Sequence, residues 1–183
     1  LVKHLALKAR WLEKKYHDLF PGIQTIIFFD EPSLSSFGSA FSGLNREDVI
    51  RSLNECFDAV KGLKGIHCCG NTDWSVLLST NLDILSFDAY NYASSLSTHS
   101  GKVKSFLERG GSIAWGIVPN EEETLAKESL PSLRDRLEEA MAPFARDGTK
   151  FKQIIAQGLI TPSCTLAGLS LEAANRTLEL TAS

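Results

Sequence analysis

His67 and Cys69 stand two residues apart in the stretch Gly65-Ile66-His67-Cys68-Cys69-Gly70-Asn71. On a strand, residues i and i+2 face the same side, so this imidazole and this thiol point together while Cys68 points away. Such a pair is a two-ligand clamp. Cys164 offers a second thiol later in the chain, and Asp88 offers an oxygen. One imidazole, two thiolates and one carboxylate form a four-coordinate set that suits Zn²⁺. A plainer reading competes with this one, because cysteine is among the most buried residue types and each thiol alone is explained as a small core residue. Cys56, in mid-helix, and Cys68, on the opposite strand face, are read that way. For His67, Cys69, Cys164 and Asp88 the conjunction of soft ligands at strand ends favours the metal.

Those strand ends come from an alternating pattern. A helix is expected from Val2 to Leu19, with Leu5, Trp11, Leu12 and Leu19 near one face and Phe20-Pro21-Gly22 as its stop. The β-rich run from Ile23 to Pro32 follows, then a Ser- and Gly-rich loop from Ser33 to Gly43. Asn45 is a plausible cap for a helix with Val49, Leu53, Phe57 and Val60 as its apolar stripe. Further strands are expected at Lys64–Gly70, Leu82–Tyr90, Ser112–Asn120 and Leu159–Cys164. Helices are expected at Thr72–Thr80, capped by Thr72 or Asp73, and at Ser97–Gly111, Glu121–Gly148 and Ser170–Ala182. Pro131 either breaks the third of these or starts a second helix within it. Strands alternating with helices predict an α/β fold with a parallel sheet and crossover connections. No repeat or linker divides the chain, so residues 1–183 are read as a single domain. In parallel β/α architectures, sites gather at the C-terminal strand ends. Asp30, His67, Cys69, Asp88, Asn120 and Cys164 all fall there.

Composition narrows the partners. The net charge of −3 comes without a basic stripe, so no nucleic acid partner is expected. The apolar runs are far shorter than the roughly 18 residues of a membrane helix. The amphipathic, charged start is no signal peptide. With four cysteines and no export signal, reduced thiols and a cytoplasmic location are expected. The chain opens on Leu1 rather than Met, which suggests a piece of something longer.

The segments His67-Cys68-Cys69-Gly70-Asn71, Leu85-Ser86-Phe87-Asp88 and Thr161-Pro162-Ser163-Cys164-Thr165-Leu166-Ala167, with Asp30-Glu31-Pro32, resemble the cobalamin-independent methionine synthase family. More broadly they resemble the superfamily that also holds uroporphyrinogen decarboxylase and the zinc corrinoid:thiol methyltransferases. The likeness spans roughly Ile23 to Leu169, and the H-x-C and P-x-C pair in that order is its specific part. It implies a (β/α) TIM-barrel type fold, catalytic zinc on His67, Cys69, Asp88 and Cys164, and Asp30 holding the amino group of a homocysteine-like acceptor. The pattern departs from the family in places. Asp88 stands where the synthase has Glu, and Ser36 where it has a folate-contacting carboxylate. The stretch Gly116-Ile117-Val118-Pro119-Asn120 lacks the D-I-H segment, and Cys164-Thr165-Leu166 replaces Cys-Gly-Leu. Zinc and thiol handling are thus implied, with a methyl-corrinoid or another small methylated compound as donor in place of folate.

A full barrel has eight strands in about 250 residues. This chain supplies the equivalent of the last five β/α units, an incomplete barrel whose open edge a homo-oligomer could cover. The expected activity is a zinc-dependent methyltransferase acting on a small-molecule thiol, with a methyl donor that a corrinoid protein could carry. Two other accounts stand beside it: a metal-free uroporphyrinogen decarboxylase-like enzyme and a non-catalytic zinc- or corrinoid-binding module. Asn71 either hydrogen-bonds a ligand or serves a helical turn. Asp30 has its own alternative, a loop carboxylate capping backbone N–H groups. Tyr90 and Tyr92 could line the pocket mouth, and Trp74 and Trp115 are read as packing residues.

Overall fold

The computed structural model describes residues 1–36 and 45–183. Five strands, β1 (Ile26–Asp30), β2 (Leu63–Cys68), β3 (Ile84–Phe87), β4 (Ser112–Val118) and β5 (Gly158–Pro162), form one sheet. Its order is β1-β2-β3-β4-β5, and every pairing is parallel. Sequential order without reversal leaves no switch point, so each crossover steps the same way along the sheet. Pairing is in register across the site end, with Asp30 opposite His67 and His67 opposite Ser86.

Alternation divides the strand residues between two faces. Ile66, Cys68, Leu85, Phe87, Ile113, Trp115 and Ile117 join the main core, packed with residues of the flanking helices such as Val103, Phe106, Met141 and Phe144. Trp74, Phe87, Trp115 and Phe144 form a chain of edge-to-face rings with centroids 5.4 to 5.8 Å apart. Trp74 and Trp115 are both fully buried, as packing residues should be. The opposite face carries Ile26, Phe28, His67, Ser86, Ala114, Leu159 and Thr161. None of these belongs to the main core. Ile84, Ser86 and Ala114 are buried in the middle of that face, whereas Ile26, Phe28 and Leu159 toward the two edges are exposed. Gly65 sits under the Phe28 ring, where a Cβ would lie 2.3 Å from a ring carbon.

The first helix, α1 (Val2–Leu19), departs from its expected face. Leu5, Trp11, Leu12 and Leu19 are exposed, and Ala6, Ala9 and Glu13 are the buried residues. The small alanines let α1 approach α2 (Arg46–Phe57) closely. Glu13 accepts hydrogen bonds from Lys61 N–H (2.9 Å), Gly62 N–H (2.6 Å) and Thr25 Oγ1 (2.9 Å). Burial opposes its ionisation, but these donors outweigh it and hold the carboxyl below its usual range. Of the expected stripe, Val49 and Phe57 are buried on α2 and Leu53 is half-buried, while Val60 is buried just past the helix end; Asn45 caps α2 by accepting from Glu47 N–H at 2.8 Å.

The remaining helices are more divided than the sequence pattern suggests. Helix α3 is only Trp74–Leu77, capped by Asp73. Between β3 and β4 lie α4 (Ala89–Ser97) and α5 (Ser100–Glu108) in place of one helix. After β4 come α6 (Glu122–Leu125), α7 (Leu130–Arg146) and α8 (Phe151–Ala156), then α9 (Leu171–Ala182) follows β5. Pro131 starts α7 rather than breaking it, because the first turn needs no N–H there and Ser129 closes a capping box with Ser132. Pro32–Ser36 form a 3-10 turn; the rest of the expected Ser33–Gly43 loop lies outside the described residues. Among the described residues no helix is long and apolar enough to cross a membrane.

Candidate metal centre

At the C-terminal strand ends, the ligand atoms of His67, Cys69 and Cys164 all lie within 4.8 Å of one another. In a flat sheet, β2 and β5 would be three spacings apart, about 14 Å at about 4.8 Å per strand. The sheet therefore curls, and the segments beyond its strand ends turn inward, to bring Cys164 to Cys69. Cys69 is exposed, Cys164 is half-buried, and both thiols are free. The three side chains line a cavity of about 410 Å³ together with Asp30, Glu31, Ser86, Thr161 and Thr165.

His67 is oriented by its neighbour on β3. Its Nδ1 lies 2.9 Å from Ser86 Oγ, the directly paired residue on the same sheet face. Its Nε2 is buried and has no hydrogen-bond partner among the described residues. A buried imidazole nitrogen without a partner is costly unless something else takes its lone pair or its proton. Burial lowers the His67 pKa, against the pull of the Asp30 and Asp88 carboxylates, so the ring is held toward its neutral form. In the tautomer with the proton on Nδ1, Ser86 Oγ accepts it and Nε2 keeps the lone pair that a metal ligand needs. Burial raises the pKa of the Cys69 thiol, and the nearby Cys164 sulfur raises it further.

Cys164 reaches the cluster through a distortion of the β4–β5 pair. The register slips between Gly116 and Val118, and the chain leaves β5 at Pro162, two residues short of the expected strand end. The bend passes directly over Gly116. A Cβ there would lie 2.4 Å from Phe87 O, 2.9 Å from Ser163 Cα and 3.0 Å from Pro162 O. Only the bare backbone of glycine admits this crossing, so Gly116 is a functional position that sequence reading missed. The signal for it was present, since a glycine inside an apolar strand marks a bulge or a close backbone approach.

The other expected site residues divide. Asp30 ends β1 opposite His67 and lines the same cavity. Asp88 follows β3 directly and is buried, but its carboxylate lies outside the three-ligand group. Its two oxygens accept from Asn91 N–H (3.0 Å) and Asn91 Nδ2 (2.7 Å), so it caps α4. Burial is the main influence on this carboxyl and raises its pKa. Asn71 does not line the cavity; its Oδ1 accepts from Ser95 Oγ, which also accepts from Trp74 Nε1. Tyr90 also lies away from the cavity, donating its hydroxyl to Glu128 at 2.5 Å with the Arg136 guanidinium stacked over its ring. Its aromatic neighbour Tyr92 is likewise absent from the cavity wall. Thr161 places a buried hydroxyl on that wall, with no hydrogen-bond partner among the described residues.

The arrangement can do one kind of chemistry well. It gathers a neutral imidazole and two thiols as a soft donor set around a single point, beside a carboxylate and an unpartnered hydroxyl. No family model matches the chain, and neither does any curated protein.

Proposed function

We propose that this chain is a thiol S-methyltransferase whose His67, Cys69 and Cys164 hold Zn²⁺ at the C-terminal end of an arc of a β/α barrel. The observation that supports this most is the convergence of His67, Cys69 and Cys164, whose ligand atoms lie within 4.8 Å of one another. Three protein donors with N and S atoms leave one position open, which is the pattern of a catalytic rather than a structural zinc site. Bound there, Zn²⁺ supplies the charge that keeps a substrate thiol deprotonated at neutral pH, where a free thiol of pKa about 8.5 is mostly protonated.

The chain's own residues set up the rest. Ser86 orients the His67 ring through its hydrogen bond with Nδ1. Asp30, across the cavity, holds the amino group of a homocysteine-like acceptor by charge and hydrogen bonding. Asp88 keeps α4 in place and adds negative potential behind His67. The Thr161 hydroxyl meets a polar atom of the bound acceptor. The acceptor sulfur attacks the methyl carbon in line, so that an S–C bond forms while the donor bond to carbon breaks and its electron pair leaves with the donor. A methyl-corrinoid fits as donor, because its leaving group needs no proton. The four free cysteines suit a reducing compartment such as the cytoplasm. A metal-free decarboxylase would leave the converging thiols without a task.

The test is transfer from methylcobalamin to homocysteine by the zinc-loaded chain, followed by mass spectrometry of the thioether product. The expected result is turnover by the wild type that Cys164→Ser abolishes. Stoichiometric zinc without transfer from methylcobalamin or any methylated corrinoid protein would overturn the catalytic reading and leave a binding module.

A further inference from the structure

Cys164 sits on irregular chain two residues past the end of β5 and well before the start of α9, whereas His67 lies within β2 and Cys69 directly follows it. Such a residue needs an external tether if its sulfur is to stay at a fixed point. The tether is visible just past β4. Asn120 Oδ1 accepts from Ser163 Oγ at 2.8 Å, and Asn120 Nδ2 donates to Thr165 O at 3.1 Å. The Asn120 N–H donates to the same Ser163 Oγ at 3.2 Å, and Ser163 N–H donates to Val118 O at 2.8 Å. One side chain thus grips the residues on both sides of Cys164. Ser163, the inner of the two, is buried.

We propose that Asn120 is a positioning residue that holds the Cys164 thiol against Cys69 and His67. Its amide is suited to this because it offers both an acceptor, for the serine hydroxyl, and a donor, for the threonine carbonyl. Asp keeps only the acceptor and Ala keeps neither. The metal part of the test rests on the proposed zinc reading, but the placement of the thiol does not.

Two measurements on the full chain separate them. The first is zinc affinity by competition with a chromophoric chelator. The second uses the metal-free chain and glutathione disulfide. There one cysteine thiolate attacks the glutathione disulfide, releasing glutathione, and the other thiolate displaces the second glutathione to form a Cys69–Cys164 disulfide. The equilibrium ratio gives the effective concentration of one thiol at the other. Outer-shell partners of metal ligands are commonly worth about 10–100-fold in affinity. Asn120→Ala is expected to lose that much zinc affinity and about tenfold in effective concentration, with Asn120→Asp between it and the wild type. Asn54→Ala removes a bond to the Asn81 N–H at the other end of the sheet, and should change thermal stability without moving either reading. Wild-type values for both readings in Asn120→Ala would overturn the proposal; should that variant not fold, Asn120→Asp carries the same comparison. A wild type that takes no zinc, yet loses effective concentration in the variant, would leave the tether standing and remove the metal reading.

Discussion

Replacing Gly116 with alanine should unseat Cys164. The added Cβ would lie 2.4 Å from Phe87 O and 2.9 Å from Ser163 Cα, both backbone atoms with no rotamer to yield. A carbon–oxygen contact settles near 3.3 Å, so something must move by about 0.9 Å. The β3 carbonyl lies inside the sheet, and the segment Pro162–Ser163 is the freer partner. Overpacking of this kind costs about 1–3 kcal/mol. For a chain of this length each kcal/mol lowers Tm by about 2–4 °C, giving a fall of roughly 2–12 °C in a thermal melt of the metal-free protein. The larger effect falls on the site. Metal–ligand distances tolerate about 0.2 Å, so a shift several times that size at Ser163 takes the neighbouring sulfur out of range. Zinc affinity, read by chelator competition, should drop at least about tenfold. A variant with wild-type Tm and wild-type affinity would refute the reasoning, since the crossing over residue 116 could then not be what places Cys164.

Other perturbations act on different links. Ser86→Ala removes the partner of His67 Nδ1 and should lower zinc affinity by about 10–100-fold with little change in fold; unchanged affinity in a competition assay would refute a role for this hydrogen bond in orienting the ring. Glu13→Ala strips the acceptor from three donors at the α1 end of the molecule. Of these donors the Thr25 hydroxyl is buried, and an unsatisfied buried donor costs about 1–3 kcal/mol, so urea unfolding should show a loss of at least about 1 kcal/mol, with zinc affinity intact. Acidification should weaken zinc binding: His67 is held neutral by burial, and the Cys69 thiol, pushed up by burial, must lose its proton to ligate. Affinity should therefore climb between about pH 6 and 8 with release of protons, which calorimetry in buffers of different ionisation enthalpy measures; affinity flat across that range would contradict it. The sign for stability agrees, because the unfolded chain protonates His67 near its ordinary value of about 6.5 before the folded one does. The His67 contribution thus grows as pH rises through that value.

Much of this molecule was legible in its sequence for identifiable reasons. The parallel sheet followed from the regular exchange of β-rich runs with helical stripes, and His67 with Cys69 followed from the period of two along a strand. Cys164 was readable as a donor from its residue type and its place beyond the last strand. Its route to the cluster was not, because that depends on a register slip and on backbone crossing Gly116, and neither leaves a period in the sequence. The α1 face was misread because two alanines and a glutamate carry the contact, and hydrophobic patterning gives weight to the leucines instead. Asp88 has the residue type of a metal ligand, but the same short carboxylate is a strong N-cap, and the helix that begins at Ala89 claims both its oxygens. Asn71 likewise has a local partner in Ser95 and stands off the cavity wall.

X-ray absorption at the zinc edge of the reconstituted chain bears most directly on the centre itself. Two sulfur neighbours at about 2.3 Å and an imidazole nitrogen at about 2.0–2.1 Å are expected, with the sulfur count falling to one in Cys164→Ser. A shell of oxygen and nitrogen alone, or a sulfur count that Cys164→Ser leaves unchanged, would contradict the account.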